Sequence, residues 1–459
     1  MKVNDFSWFS IFRLGLVQTA LGAIVVLTTS TLNRVMVVEI ALPAMIPGAL
    51  VTLHYAMQML RPRMGHGSDM GQRRTPWIVG GMIVLAIGGA GASFGTAMMA
   101  SNVPLGVAIA ALSFMLVGGG VSAAGTSLLV LLAKRVHPDR RAAAATLVWM
   151  MMIMGFAVTA TVAGKLLDPF SGARMVAVCG AVSALAVIVT VAAIWRVEGR
   201  TGASRQDDDP SSVENKAQFL HALKDVWQEK DARHFTIFVF VSMIAYSAQD
   251  LILEPFAGAI FGFTPGESTK LSGIQHGGVF TGMLLVAVIT QLFKGKALAS
   301  LKGWIIGGCT ASGVALAGLV LAGSSGSGWP LRENVFLLGV ANGAFSIAAI
   351  GAMMAMAGHG DGERHSRAGL RMGLWGASQA IAFGGGGFLG TILSDVARWS
   401  GGSTAGAYTF VFALEAVAFA AAAWLATNIA ITRDGKRAVS APSTQPAAIT
   451  NMAIQTEGR

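Results

Sequence analysis

The chain has 459 residues, 54% of them hydrophobic and only 12% charged, with 58 glycines and a mean hydropathy of +0.62. A soluble domain carries roughly 25% charged residues, and a single soluble core stops growing near ~300 residues. Lipid is therefore the solvent for much of this surface, and one large water-soluble core is excluded. The net charge of +10 excludes nothing until the charges are placed; they fall between apolar runs, where they report topology rather than nucleic-acid binding.

The apolar runs predict twelve spans, each near the ~20 residues that cross a bilayer. The first six are Arg13–Thr31, Ile40–Leu60, Trp77–Ala97, Leu105–Ala133, Ala142–Gly164 and Met175–Trp195. The second six are Phe235–Ile260, Leu271–Phe293, Trp304–Gly323, Val335–Met356, Leu370–Leu393 and Ala407–Ile431. Met1 to Trp8 is too short and polar for a cleavable signal. Cys179 and Cys309 lie inside apolar runs with no CxxC or His neighbour, which reads as two buried thiols.

Every second loop is basic. Arg61, Arg63, Arg73 and Arg74 are followed by Lys134, Arg135, Arg140 and Arg141, then by the bases between Arg196 and Arg233. The pattern continues with Lys294, Lys296 and Lys302, with Arg364, Arg367 and Arg371, and with Arg433, Lys436 and Arg437. The intervening loops carry little beyond Arg34, Lys165, Arg174, Lys270, Arg332 and Arg398. This alternation predicts cytoplasmic basic loops, both termini cytoplasmic and an even number of spans.

The stretch from Gly199 to Arg233 begins as a flexible linker, and from Val213 its apolar residues fall at the spacing of an amphipathic surface helix. The tail after Ala438 has the composition of a disordered segment. The expected organisation is a six-helix half over 1–198, a linker over 199–234, a second six-helix half over 235–432 and a tail over 433–459. The halves also echo each other. Arg141 precedes Trp149 by eight residues and Arg367 precedes Trp375 by eight, and each helix closes on a Gly and an Asp, Gly164 with Asp168 and Gly390 with Asp395. Gly65-x-x-x-Asp69-x-Gly71-x-Arg73-Arg74 has the turn-forming and charge-pairing types of the major-facilitator loop signature. The expected fold class is thus all-α integral membrane: twelve transmembrane helices in two pseudo-symmetric halves of major-facilitator type.

Charges within a span are unfavourable by ~2.5–3.5 kcal/mol each at mid-helix, and they persist where something pairs them. Arg34 and Glu39 at the end of span one, and Asp250 and Glu254 near the end of span seven, are such charges. Spans one and seven are equivalent in the two halves, so an ion pair from Arg34 to Asp250 or Glu254 is expected, acting as a clasp or a gate. His54 and His276, the histidines within spans, are candidates to ligate the magnesium of a chlorin, with Gly277 and Gly278 leaving room for the ring; hydrogen bonding between helices is the plainer role. The glycine runs Gly118–Gly120 and Gly384–Gly387 read as close helix packing. No nucleophile triad, metal-ligand spacing or phosphate-binding loop is present.

Three motifs carry a family resemblance: Ser30-Thr-Leu-Asn-Arg-Val-Met-Val-Val-Glu39, Ser68-Asp69 with Arg73-Arg74-Thr75-Pro76, and Gln249-Asp250-Leu-Ile-Leu-Glu254-Pro255. Together they resemble the PucC/LhaA family, and the short loop between spans two and three is similar to its subgroup labelled bacteriochlorophyll synthase 44.5 kDa chain. The resemblance implies a major-facilitator fold adapted to handle bacteriochlorophyll as bound cargo in a bacterial inner (intracytoplasmic) membrane. The implied partners are membrane lipid, bacteriochlorophyll or its precursor, bacteriochlorophyll synthase, and light-harvesting or reaction-centre polypeptides, with no nucleic acid. The expected role is a carrier and not an enzyme. The competing reading is a proton-coupled solute transporter, for which Glu415 in span twelve is the best mid-membrane candidate.

Overall fold

The computed structural model describes residues 6–60, 73–198, 227–293, 296–358 and 368–429, and every span within them is helical. A bilayer leaves backbone groups no water to bond, so a chain of this composition must satisfy them within helices. The helices are α1 (Trp8–Glu39), α2 (Met45–Met57), α3 (Thr75–Met98), α4 (Val103–Arg135), α5 (Pro138–Leu166) and α6 (Gly172–Ile194). They continue as α7 (Lys230–Phe261), α8 (Pro265–Leu292), α9 (Leu301–Ser325), α10 (Leu331–Gly358), α11 (Ala368–Trp399) and α12 (Thr404–Thr427). Eleven of them are long and apolar enough to cross a membrane, and α2 is the short one. The expected amphipathic linker helix, up to residue 226, and the tail lie outside the described residues.

Local chemistry sets the helix ends. Asn102, Ser171, Ser300 and Ser403 each accept a backbone N–H from the first turn, starting α4, α6, α9 and α12. Thr264 and Glu267 form a reciprocal capping box at α8. Gly262, at φ 69°, ends α7 in the left-handed conformation that glycine adopts without strain.

The largest difference from the expected boundaries is at the end of span one. Span one does not end at Thr31; α1 runs on to Glu39 through two π turns, Leu27–Thr31 and Val35–Glu39. The polar residues that suggested an end are buried: Thr31, Asn33 and Arg34 are each at most 2% exposed. Each makes a hydrogen bond to the other half, so the helix continues.

Tight glycine contacts assemble each half. A Cβ on Gly88 or Gly95 of α3 would lie 2.7 or 2.8 Å from the backbone nitrogens of Val117 or Ala110 of α4. On α8 and α10, a Cβ at Gly282 or Gly339 would lie 2.1 or 2.2 Å from the carbonyl oxygens of Val340 or Gln275. Membrane helices gain no hydrophobic drive toward one another, and such backbone approach supplies van der Waals contact instead. The glycine runs behave likewise: Gly118 meets α2 at His54, Gly120 meets α3 at Leu85, and Gly386 meets α7 at Ser247.

The two halves share a specific bond. Gln18 of α1 donates to the Met152 sulfur of α5 at 3.2 Å, and Gln379 of α11 donates to the Met243 sulfur of α7 at 4.0 Å. The helix pairs are equivalent while the glutamine and methionine have changed places. The repeat tryptophans have diverged: Trp375 is 1% exposed and points at the Ala232 carbonyl of α7, whereas Trp149 is 37% exposed. Arg141 holds the Val136 carbonyl at 3.0 Å, and Arg367 lies outside the described residues.

Candidate functional site between the two halves

The halves meet through α1 with α7, α2 with α11 and α5 with α8, and their contacts stack in layers. The first layer lies at the end of the bundle opposite the basic loops. There Arg34 donates to Glu39 at 2.5 Å and to the Phe263 carbonyl at 2.6 Å. Asp168, after α5, accepts from Thr264 at 2.9 Å and lies 3.4 Å from the Lys270 ammonium of α8. Asp395 of α11 accepts from the Ala44 and Met45 amides that begin α2. A cleft of about 790 Å³ opens here, lined by Arg34, Glu39, Asp168, Phe263 and Lys270 among others.

The expected ion pair from Arg34 to Asp250 or Glu254 is corrected. The salt-bridge partner of Arg34 is Glu39 on its own helix, and its contact with the other half is a backbone carbonyl. Winding is the reason. A five-residue step along an α-helix turns the second side chain roughly 140° from the first. The π turn Val35–Glu39 closes i to i+5 and brings the two onto one face.

Below this lies a hydroxyl layer. Thr31 and Thr269 share a hydrogen bond at 3.1 Å, and Asn33 donates to the Leu251 carbonyl at 2.6 Å. Ser30 donates to Glu254 and approaches Ser272 at 3.1 Å. Sequence reasoning singled out Glu254 as a charged contact, gave Ser30 only as the start of a family motif and did not name Ser272; small hydroxyl residues are too common in spans to stand out.

The third layer holds Asp250 and His276. Gln275 of α8 donates to Asp250 at 3.3 Å. His276 directs Nδ1 at the Ser272 carbonyl at 2.9 Å, and its ring stands edge-on to Phe156 of α5, 5.0 Å between centroids. A carbonyl only accepts, so Nδ1 carries the proton and the neutral ring keeps its lone pair on Nε2. That is the tautomer a single axial metal bond requires. The room expected from the neighbouring glycines is divided: Gly278 packs on the Phe336 carbonyl of α10, while Gly277 has nothing within 4 Å of an added Cβ but shares its face with exposed Thr281. The interface itself carries aromatic side chains. Half-buried Tyr55 of α2, Phe383 of α11 and Tyr246 of α7 form an aromatic run across it, with centroids 6.0 and 5.7 Å apart.

His54 is placed differently. It is 1% exposed, its Nε2 pairs with Gln58 at 2.9 Å, and its backbone is pressed against Gly118 of α4. It serves packing within the N-terminal half. Of the loop motif, Gly65, Asp69 and Gly71 lie outside the described residues. Arg73 and Arg74 lie within them, and the amides of Arg74 and Thr75 are capped by Glu198 at 2.7 and 2.9 Å, a partner the sequence did not suggest. Among the described residues, no group of three or more His, Cys, Asp or Glu could hold a metal ion.

Solved structures match this architecture. A bacterial homolog of the human lysosomal transporter Spinster, inward-facing and occupied, superposes with a TM-score of 0.63 at 15% identity, over 91% of this chain and 95% of that one. The nucleoside transporter NupG superposes with a TM-score of 0.63 at 14% identity, over 92% and 98%. At such identities the likeness establishes the fold alone. Sequence relatives are nearer. The "Bacteriochlorophyll synthase 44.5 kDa chain" of Rhodobacter capsulatus is 47% identical over 430 residues, covering 94% of this chain and 97% of that one. "Protein PucC" of Cereibacter sphaeroides is 29% identical over 425 residues, covering 88% of each. The family model described as PUCC protein matches residues 31–434, from the hydroxyl layer of α1 to beyond α12, and the chain belongs to the PucC family.

Proposed function

We propose that this membrane protein carries bacteriochlorophyll, or its immediate precursor, between the enzyme that completes the pigment and the polypeptides that receive it. The observation that carries the reading is the His276 geometry. A chlorin supplies four nitrogens to its magnesium and needs one axial ligand, and His276 offers one lone pair with its tautomer fixed by Ser272. Edge-on Phe156 and the run Tyr55–Phe383–Tyr246 offer aromatic faces to a large flat guest.

Among the described residues, the polar contacts between halves crowd the end opposite the basic loops. With that end outside the cell, cargo enters from the cytoplasmic side or the inner leaflet. We read the chain as a carrier beside the true synthase, on the strength of the lone pair that His276 offers a pigment, although the relative's label names a synthase chain. The test is purification in mild detergent from pigment-making membranes, with an absorption spectrum and partner identification on the eluate. Pigment and synthase or antenna polypeptides should elute with the chain; a colourless eluate free of all of them would overturn the reading.

A further inference from the structure

A second polar site reaches from Asp250 at the interface into the C-terminal half. Glu415 sits midway along α12, roughly 17 Å from either end, and is 4% exposed. Neither of its carboxylate oxygens has a hydrogen-bond partner. Gln249 of α7 is 0% exposed, and both ends of its amide are also without a partner. Helix periodicity turns the two toward each other. Phe256 of α7 packs on Tyr408 and Phe412 of α12. Gln249 lies seven residues, about two turns, earlier on that same face, so it looks toward α12 at the depth of Glu415. Asp250 is the next residue on α7, about 100° further round the helix, and accepts from Gln275 of α8 at 3.3 Å.

Charge completes the argument. Asp250, Glu254 and Glu415 are three carboxylates within spans, and the one fully buried base near them, Arg34, is already paired with Glu39. The titratable side chains deep within the helices packed on α12 are Tyr246, Asp250 and Glu254 of α7 and Cys309 of α9, with Tyr408 on α12 itself. Between Arg371 and Asp395, α11 carries no charge, and between Glu333 and the end of α10 there is none. A net negative interior without water is unfavourable, and a buried polar atom without a partner calls for an ion or water.

We propose that Glu415, Asp250 and Gln249 form a site for a monovalent cation, a proton or a sodium ion, within the C-terminal half. The carboxylates supply charge, and the Gln249 amide supplies an acceptor oxygen to a cation or to a protonated acid. The site is independent of pigment and stands or falls without it. Because it abuts Asp250, whose other side bonds Gln275 beside His276, occupancy of the cation site is communicated to the space between the halves.

The experiment uses the purified full-length chain in detergent, wild type and Glu415→Gln, which keeps the shape of the side chain. Infrared difference spectra across a pH step in sodium-free buffer read protonated carboxylic acids, and radioactive sodium binding reads the metal ion. If the occupant is a proton, a titrating carboxylic-acid band appears and is lost in Glu415→Gln. If it is sodium, saturable sodium binding appears and is lost in the variant. Gln249→Leu, which leaves both acids, should weaken whichever signal is present by about three- to tenfold. Wild-type protein showing neither signal would overturn the proposal, as would a signal unchanged in both variants.

Discussion

The Asp395 carboxylate, at the end of α11, accepts the Met45 amide at 2.8 Å and so caps the first turn of α2 in the opposite half. Asp168 stands in the equivalent place after α5, against the first turn of α8. Each aspartate puts negative charge where a helix dipole is positive, worth about 1 kcal/mol in a favourable geometry. The pair therefore latches the same end of the bundle twice.

Replacing either aspartate with asparagine keeps the shape and removes the charge, so each change should favour opening of that end by about fivefold. The reporter is Thr391→Cys, buried against Gly48, in a chain whose Cys179 and Cys309 are alanine. Labelling by an impermeant maleimide should accelerate by about that factor in Asp395→Asn and further in the double variant. Unchanged labelling would show that the charges do not hold the halves together.

Helix packing gives a paired prediction. Gly282→Leu drives a side chain into the Val340 carbonyl, and overpacking of this kind destabilises by at least about 1–3 kcal/mol. Gly277 has nothing within 4 Å of an added Cβ, so Gly277→Ala should leave thermal stability in detergent unchanged or slightly higher. Similar melting for both variants would contradict the close approach of α8 and α10.

The histidines should separate. Partners that merely orient a ligand are worth 10–100-fold in metal affinity, so His276→Ala should lower retained pigment by at least about tenfold. His54→Ala should retain it, because His54 is spent between α2 and α4. The readout is pigment per protein after identical purification, with thermal stability as the control for folding.

With each of the twelve described helices crossing once, both chain ends lie on one side of the bilayer. Cysteines placed before Trp8 and after Thr427 should react with an impermeant reagent from the same side. Reaction from opposite sides would remove one helix from the count.

Charge and hydropathy made the architecture legible, because lipid punishes a misplaced charge and loops carry the remainder. The repeat was legible at Asp168 and Asp395, although their destinations were not: a capping contact with the other half leaves no pattern along the chain. The Arg34 partner was misread for a similar reason, since the sequence does not announce a π turn that swings Glu39 under Arg34. His276 was visible as a histidine in a span. The Ser272 carbonyl that fixes its tautomer, and the loss of Gly278 to α10, emerge only when α8 is packed.

The most direct test of the account is titration of bacteriochlorophyll into the protein purified from a host that makes none. Saturable binding, with a shifted long-wavelength band that is lost in His276→Ala and kept in His54→Ala, is the predicted result. Absence of saturable binding by the folded wild-type chain would contradict the account.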